Sequence, residues 1–289
     1  MDNTTRKKHG SPPGSLNPPS GAIVPDSIHV IHYSVDAVEE RDVSSLSEVA
    51  DWRDTEGVLW LNVNGLGNMA LFAEFRDELG FHPLALEDTL SVTQRPKAED
   101  YESHLYVVMR MLRFETILEC EQISIFLGPN AVVTFQEHEG DCLEPLRQRI
   151  RKSTGQIRRQ KADFLMYAIV DTIIDSYFPV LERAGDVIEE LEDDVVRTPS
   201  SETLARIHQI KRSLLEVRRT AWPLRDAVSS LQRDENPLIT DNTRLYLRDC
   251  HDHAIQVLDV TEAYRELAGS LMDVYLSSIS NKMNEVMKV

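Results

Sequence analysis

The sequence predicts an α+β protein: an N-terminal α/β/α sandwich domain with a largely antiparallel sheet, then an antiparallel helical hairpin and a very long C-terminal stalk helix. Three observations carry this. Between residues 28 and 135, strand-like runs bounded by turn residues alternate with short helical patterns. After Asp141 every periodic segment is helical. The last forty-five residues, Leu245 to Val289, hold no proline and one glycine, Gly269, and at about 1.5 Å per residue would span about 65–70 Å as one helix.

Taken in order, residues 1–26 read as a disordered tail, rich in Pro, Gly, Ser and Asn and poor in apolar surface. The sandwich domain is expected over 27–160. Strand character appears in Ile28 to Val35 and Gly57 to Val63, with a short helix at Ser44 to Trp52 between them. Helices follow at Met69 to Leu79, stopped by Gly80, and from Pro83, a residue suited to the first helical turn. Ser103 to Phe114, Gln122 to Leu127 and Ala131 to Phe135 are joined by short turns and predict an antiparallel meander. Over 161–289 the hairpin and stalk are expected: Ala162 to Arg197 as one long helix, a break at Thr198, Pro199 and Ser200, a return helix capped by Ser201 or Thr203 and kinked at Trp222-Pro223, then a loop at Asp234 to Pro237. On the last helix one apolar seam runs through Val260, Tyr264, Leu267, Leu271 and Val274, a second through Ala268, Met272, Tyr275, Ile279 and Val286, and a polar stripe includes Asp273, Asn284 and Met287. Val289 is reached without a C-terminal cap signal.

A formal charge of −17 argues against nucleic acid and anionic lipid as main partners and favours cations. Three widely spaced cysteines, Cys120, Cys142 and Cys250, suggest reduced thiols and give no zinc-site spacing. No run reaches the roughly 18 consecutive apolar residues of a membrane helix. No phosphate-cradling glycine loop, HExxH, nucleophile elbow or CxxC is present, so an enzyme is not expected.

Carboxylates carry the chemistry that remains. Glu87 and Asp88 stand side by side, and Asp249, Asp252 and His253 fall at i, i+3 and i+4 on one helix face. A hard cation such as Mg2+ needs a few converging carboxylates and retained waters. The bland reading is that these acids cap helices and pair with Arg248 or with the basic run from Arg147 to Lys161. His251 and His253 project about 200° apart and cannot share an ion on one helix. The basic run lacks interleaved aromatics and is expected to neutralise the acidic end of the hairpin, Leu181 to Asp194, or its neighbours.

Four stretches together resemble the CorA family of magnesium and cobalt channels: FHPLALEDTLSVTQRPKAEDYESHLYVVM (81–109), ADFLMYAIVDTIIDSYF (162–178), HQIKRSLLEVRRTAWPLRDAVSSL (208–231) and LMDVYLSSISNKMNEVMKV (271–289). The resemblance implies a cytoplasmic, divalent-cation-sensing domain at the inner face of the cell membrane. Its stalk would continue into a pore-lining span lying beyond Val289, with the family's Gly-Met-Asn at the outer end. It further implies a homopentamer, with weakened assembly for this fragment, and regulatory Mg2+, with Co2+ or another divalent ion as a substitute, bound between protomers. Asp88 would face Asp249 of a neighbouring stalk in one site, and Glu87, Asp171 and His253 would contribute to a second. Thr93 stands where some relatives carry histidine, a departure that weakens the second site. Asp273, Asn284 and Met287 would face the axis near the pore mouth. The alternatives are a zinc-transporting relative, a soluble carboxylate metalloenzyme and a helical scaffold.

Overall fold

The computed structural model describes residues 12–25, 27–53, 55–114 and 117–287. Seven strands form one sheet in the order β2-β1-β3-β7-β6-β5-β4. They are β1 (Ile28–Tyr33), β2 (Val38–Val43), β3 (Val58–Asn64), β4 (Lys97–Tyr101), β5 (His104–Phe114), β6 (Leu118–Leu127) and β7 (Ala131–Gln136). Only β3 and β7 run parallel, so the sheet is largely antiparallel and contains the predicted meander. The two edge strands, VEERDV and KAEDY, are polar, as edges that must not recruit another chain tend to be.

Alternation along the strands divides the core in two. Ile28, Val30, Leu59 and Leu61 point to one face, where α2 (Met69–Leu79) and α3 (Pro83–Leu90) cover them. Ile31, Tyr33, Val58 and Trp60 point to the other, beneath α4 (Glu144–Arg151) and α5 (Ala162–Asp175). A 3-10 turn at Leu46–Val49 leads into the one-turn helix α1 (Ala50–Arg53). Every residue of α5 from Ala162 to Val170 is buried, because the sheet lies on one side of it and the stalk on the other. Ala162–Arg197 is apolar enough, by length and composition, to cross a membrane, but 67% of its most apolar window is buried inside the protein and it serves as a core helix.

The segment expected to be one helix divides at Ser176 into α5 and α6 (Tyr177–Arg197). Ser200, not Ser201 or Thr203, caps α7 (Ser201–Arg233), its Oγ accepting from the Thr203 amide at 3.1 Å. Helix α7 continues through Pro223. The stalk, α8 (Asp241–Met287), starts four residues earlier than expected. Its entry is fixed by Asp163, buried at 2% exposure, whose Oδ2 accepts from both the amide and the hydroxyl of Thr240. At 47 residues it is about 70 Å long.

Two sequence expectations are corrected here. Residues 12–25 do not hang free: Gly67 donates its amide to Ile23 O at 2.7 Å, Gly14 donates to Glu87 Oε2 at 2.8 Å, and Leu16 and Ala22 pack on the α2/α3 core. The tail expectation for 1–11 and 26 lies outside the described residues. The two apolar seams of the stalk merge into one stripe, buried at Leu247, Cys250, Ala254, Val257, Thr261, Ala268, Leu271 and Tyr275 and half-buried at Tyr264, so that successive members are three or four apart. Leu267 and Val274, assigned to the first seam, are exposed at 44% and 42%. The side chain of Val286 lies outside the described residues.

Candidate metal centre

The buried stripe of α8 lies against α5, α6 and α7, and where α8 meets the end of α5 it places polar side chains together. Asp171 and Asp175, at i and i+4, project from the last turn of α5. At that spacing the two carboxylates repel one another, and a cation between them would relieve it. His253 of α8 faces them. One ligand atom each from Asp171, Asp175 and His253 lies within 4.8 Å of the others. The imidazole Nδ1 is 3.5 Å from Asp175 Oδ1, buried and outside hydrogen-bonding geometry, while Nε2 is 3.9 Å from Asp249 Oδ2. Burial, and then the charge of Asp175, raise the Asp171 carboxyl above its usual range, and Arg149 relieves this in part. Two carboxylates and an unsatisfied imidazole nitrogen are a donor set that fits a divalent cation.

Asp88 and Glu87 stand apart from this group. They lie on α3, which covers the opposite face of the sheet from α5, so within one chain the sheet separates them from Asp171. Asp88 is already neutralised: Lys97 Nζ lies 2.6 Å from its Oδ2 and Gln94 Nε2 donates to its Oδ1 at 2.8 Å. Lys97 is shared with Glu99 at 2.7 Å. Burial disfavours the Lys97 ammonium, and the two carboxylates more than offset it, leaving the group above its usual range. Glu87 accepts from Gly14. Asp249 is 69% exposed at its side chain. Asp252 is exposed and 3.8 Å from His251, and it stands outside the Asp171 group. Asp273, Asn284 and Met287 are exposed on α8.

Of the three side chains grouped here, the sequence reading names Asp171 and His253 and omits Asp175, although its spacing from Asp171 was a usable signal. It also misses Lys97. Of the two partners expected for the basic run, its ion pairs among the described residues go to neighbouring acids and not to the hairpin: Arg147 pairs with Asp141, Arg151 with Glu144 and also Glu40, and Arg158 donates to the Ile150 and Arg151 carbonyls. The hairpin acids are met instead by Arg206, which binds Glu190 and Asp194, each at 2.7 Å.

Residues 55–289 match the family described as CorA-like Mg2+ transporter protein. The chain is 42% identical over 285 residues to the cobalt/magnesium transport protein CorA of Thermotoga maritima, covering 98% of this chain and 81% of that one. It is 32% identical over 215 residues to the putative metal ion transporter YfjQ of Bacillus subtilis, covering 74% and 67%. Among solved structures, the soluble domain of CorA from Methanocaldococcus jannaschii superposes with a TM-score of 0.70 at 21% identity, over 88% of this chain and 99% of that one. The ZntB cytoplasmic domain from Vibrio parahaemolyticus superposes with a TM-score of 0.69 at 13% identity, over 88% and 99%, a likeness of fold alone. The α+β architecture, the long terminal helix and the sequence match agree, and the chain belongs to the CorA-like Mg2+ transporter family.

Proposed function

We propose that this chain is the cytoplasmic, divalent-cation-sensing part of a Mg2+/Co2+ channel, and that ion occupancy holds the stalk in the closed arrangement. The observation that carries this reading is the meeting of Asp171 and Asp175 of α5 with His253 of α8. Such an ion would join the core of the domain to a helix about 70 Å long. Mg2+ there would bind mainly through the carboxylates and keep several waters. Without it the acids of α5 and Asp249 repel one another, and the favoured position of the stalk changes. An ion that binds one arrangement more tightly shifts the population toward it, and a falling cytosolic concentration reverses the shift.

The reading extends to assembly as a homopentamer at a membrane. Leu267, Val274 and Leu276 are exposed along α8, which supports packing of this face against neighbouring stalks. Asp88 and Asp249 would then approach one another between protomers, where a divalent ion would compete with Lys97 for Asp88. Asp273, Asn284 and Met287 would line the axis.

Protease protection of the full-length protein tests this. Millimolar Mg2+ is expected to slow cleavage of the parent, and Asp171→Asn, Asp175→Asn or Asp249→Lys should each weaken that protection. Equal protection of parent and variants would refute a sensing role for these residues.

A further inference from the structure

Strand β4 begins at Lys97, opposite Val108, so β5 runs on beyond it as the edge of the sheet. The space beside that edge, between residues 93–96 and helix α7, is a cavity of about 830 Å3, within the size range of small-ligand sites. Its lining carries four arginines, Arg95, Arg110, Arg218 and Arg219, against two carboxylates, Glu216 and Asp226, in a chain of formal charge −17.

Two of the four cations have no acid. Arg110 is half-buried on β5, and its guanidinium donates to Val92 O at 2.7 Å, Cys120 O at 3.1 Å and Cys120 Sγ at 3.2 Å. These contacts orient the guanidinium, but it forms no ion pair among the described residues, whereas a partly buried charge is ordinarily paired. Arg95 is exposed and makes neither an ion pair nor a hydrogen bond among the described residues. The other charges are engaged. Arg218 pairs with Glu262, Asp226 is held by Arg225 at 2.7 Å, and Arg219 lies 3.9 Å from Glu216. The same cavity has an aromatic wall in Trp222, whose ring carries the Arg225 guanidinium 4.8 Å from its centroid and is still 49% exposed. An indole left in solvent at a cavity wall is a surface on which a planar ring stacks.

We propose that this cavity binds a nucleoside di- or triphosphate, with its phosphates on Arg95 and Arg110 and its base against Trp222. The two unpaired guanidinium groups call for an anion, and a guanidinium fork matches phosphate oxygens. The indole calls for a planar ring on the same molecule. The net negative charge of the chain does not forbid this, because salt screens distant charges over about 8 Å at physiological ionic strength, while the half-buried Arg110 acts at contact. A nucleic-acid strand needs a basic groove that tracks its backbone, and here Glu216 and Asp226 interrupt the arginines of α7. Gln94, which also lines the cavity, donates to Asp88 Oδ1, so the site adjoins the Asp88–Lys97 pair. The proposal stands apart from the sensing role of the α5/α8 contact.

The experiment is isothermal titration calorimetry of ATP, ADP, inorganic triphosphate and adenosine into the metal-free protein in chelator. Leaving out Mg2+ keeps its chelation by the nucleotide out of the signal. One equivalent of ATP or ADP is expected to bind, and adenosine at least about tenfold more weakly. Trp222→Ala should weaken ATP about tenfold and change inorganic triphosphate less than about twofold. Arg95→Gln should weaken both about tenfold. Both side chains are largely exposed, so both variants should keep the parent's melting temperature; Arg110→Gln should also weaken both ligands, and if it fails to fold the other two variants decide. No binding of ATP at millimolar concentration, or an ATP affinity unchanged in Trp222→Ala and Arg95→Gln, would overturn the site. Inorganic triphosphate binding as tightly as ATP would overturn the base contact. Tighter binding of a short single-stranded oligonucleotide than of ATP would overturn the mononucleotide in favour of nucleic acid.

Discussion

The Nδ1 atom of His253 on α8 stands 3.5 Å from the Oδ1 atom of Asp175 on α5, buried and without a hydrogen bond. This contact makes Asp175 both a liability and a ligand. Like charges at i and i+4 destabilise a helix by about 0.2–0.5 kcal/mol, and Asp175 helps to raise the carboxyl of Asp171. Asp175→Asn is therefore expected to raise the melting temperature slightly in chelator and to lower it relative to the parent in saturating Mg2+. A ligand present at 100 times its dissociation constant stabilises by about 2.7 kcal/mol, well above the repulsion removed. Thermal denaturation in both buffers should show the two curves exchanging order.

A second prediction concerns Arg147, whose guanidinium grips Asp141 through two hydrogen bonds and lies 5.2 Å over the Trp60 ring. The Asp141 side chain is 5% exposed. Burial alone would raise its carboxyl, but Arg147, Gln136 and the Leu143 amide more than offset that, and it sits below its usual range. Arg147→Met strands this buried charge and should cost about 3–5 kcal/mol in urea unfolding. Arg147→Met combined with Asp141→Leu should recover part of the loss, since the unpaired charge is removed with its partner.

What was legible in the sequence follows the physics of each element. The long helices were readable because burial against several neighbours imposes spacings of three and four over many turns, as in Leu247, Cys250, Ala254 and Val257. Strands β2 and β4 were missed because both edges carry charged residues, so period-two apolar alternation is absent from VEERDV and KAEDY. The missed β4 had a consequence for the site: Lys97 reaches Asp88 because β4 lies along that sheet edge, a relation set by pairing and not by sequence spacing. His253 was readable from its spacing with Asp249 and Asp252, whereas Asp171 came from family resemblance. Cys250 read as one of three scattered thiols, and only the packing of α8 on α5 brings it to Asp171.

A third prediction tests the N-terminal segment. A Cβ on Gly67 would stand 2.9 Å from the backbone oxygen of Ile23 and 2.9 Å from Val24 Cγ2, at the point where Gly67 donates its amide to Ile23. The obstacle includes backbone, so the segment must move. Gly67→Ala is expected to cost about 1–3 kcal/mol and to make residues 12–25 susceptible to limited proteolysis at the first cut. An unchanged cleavage pattern would show that this segment is held by other contacts.

The fourth prediction is a pH dependence centred on His104, far from the acidic contact. His104 is 1% exposed, stacked against Tyr101 and packed on Phe81 and Phe126, with Nδ1 2.9 Å from Ser103 Oγ and Nε2 buried without a partner. Burial, and then His82, lower its pKa to about 4. The folded protein thus keeps this imidazole neutral at a pH where the unfolded chain, titrating near 6.5, takes up a proton. Stability is full above about pH 6.5 and falls as pH drops toward 4. Between pH 7 and pH 5 this one group should remove about 1–2 kcal/mol. In His104→Phe, which fills the same aromatic stack and cannot titrate, that part of the acid sensitivity should vanish. Urea unfolding of parent and variant at pH 7 and pH 5 measures it. Equal losses in the two proteins would mean that the acid sensitivity of the fold arises elsewhere.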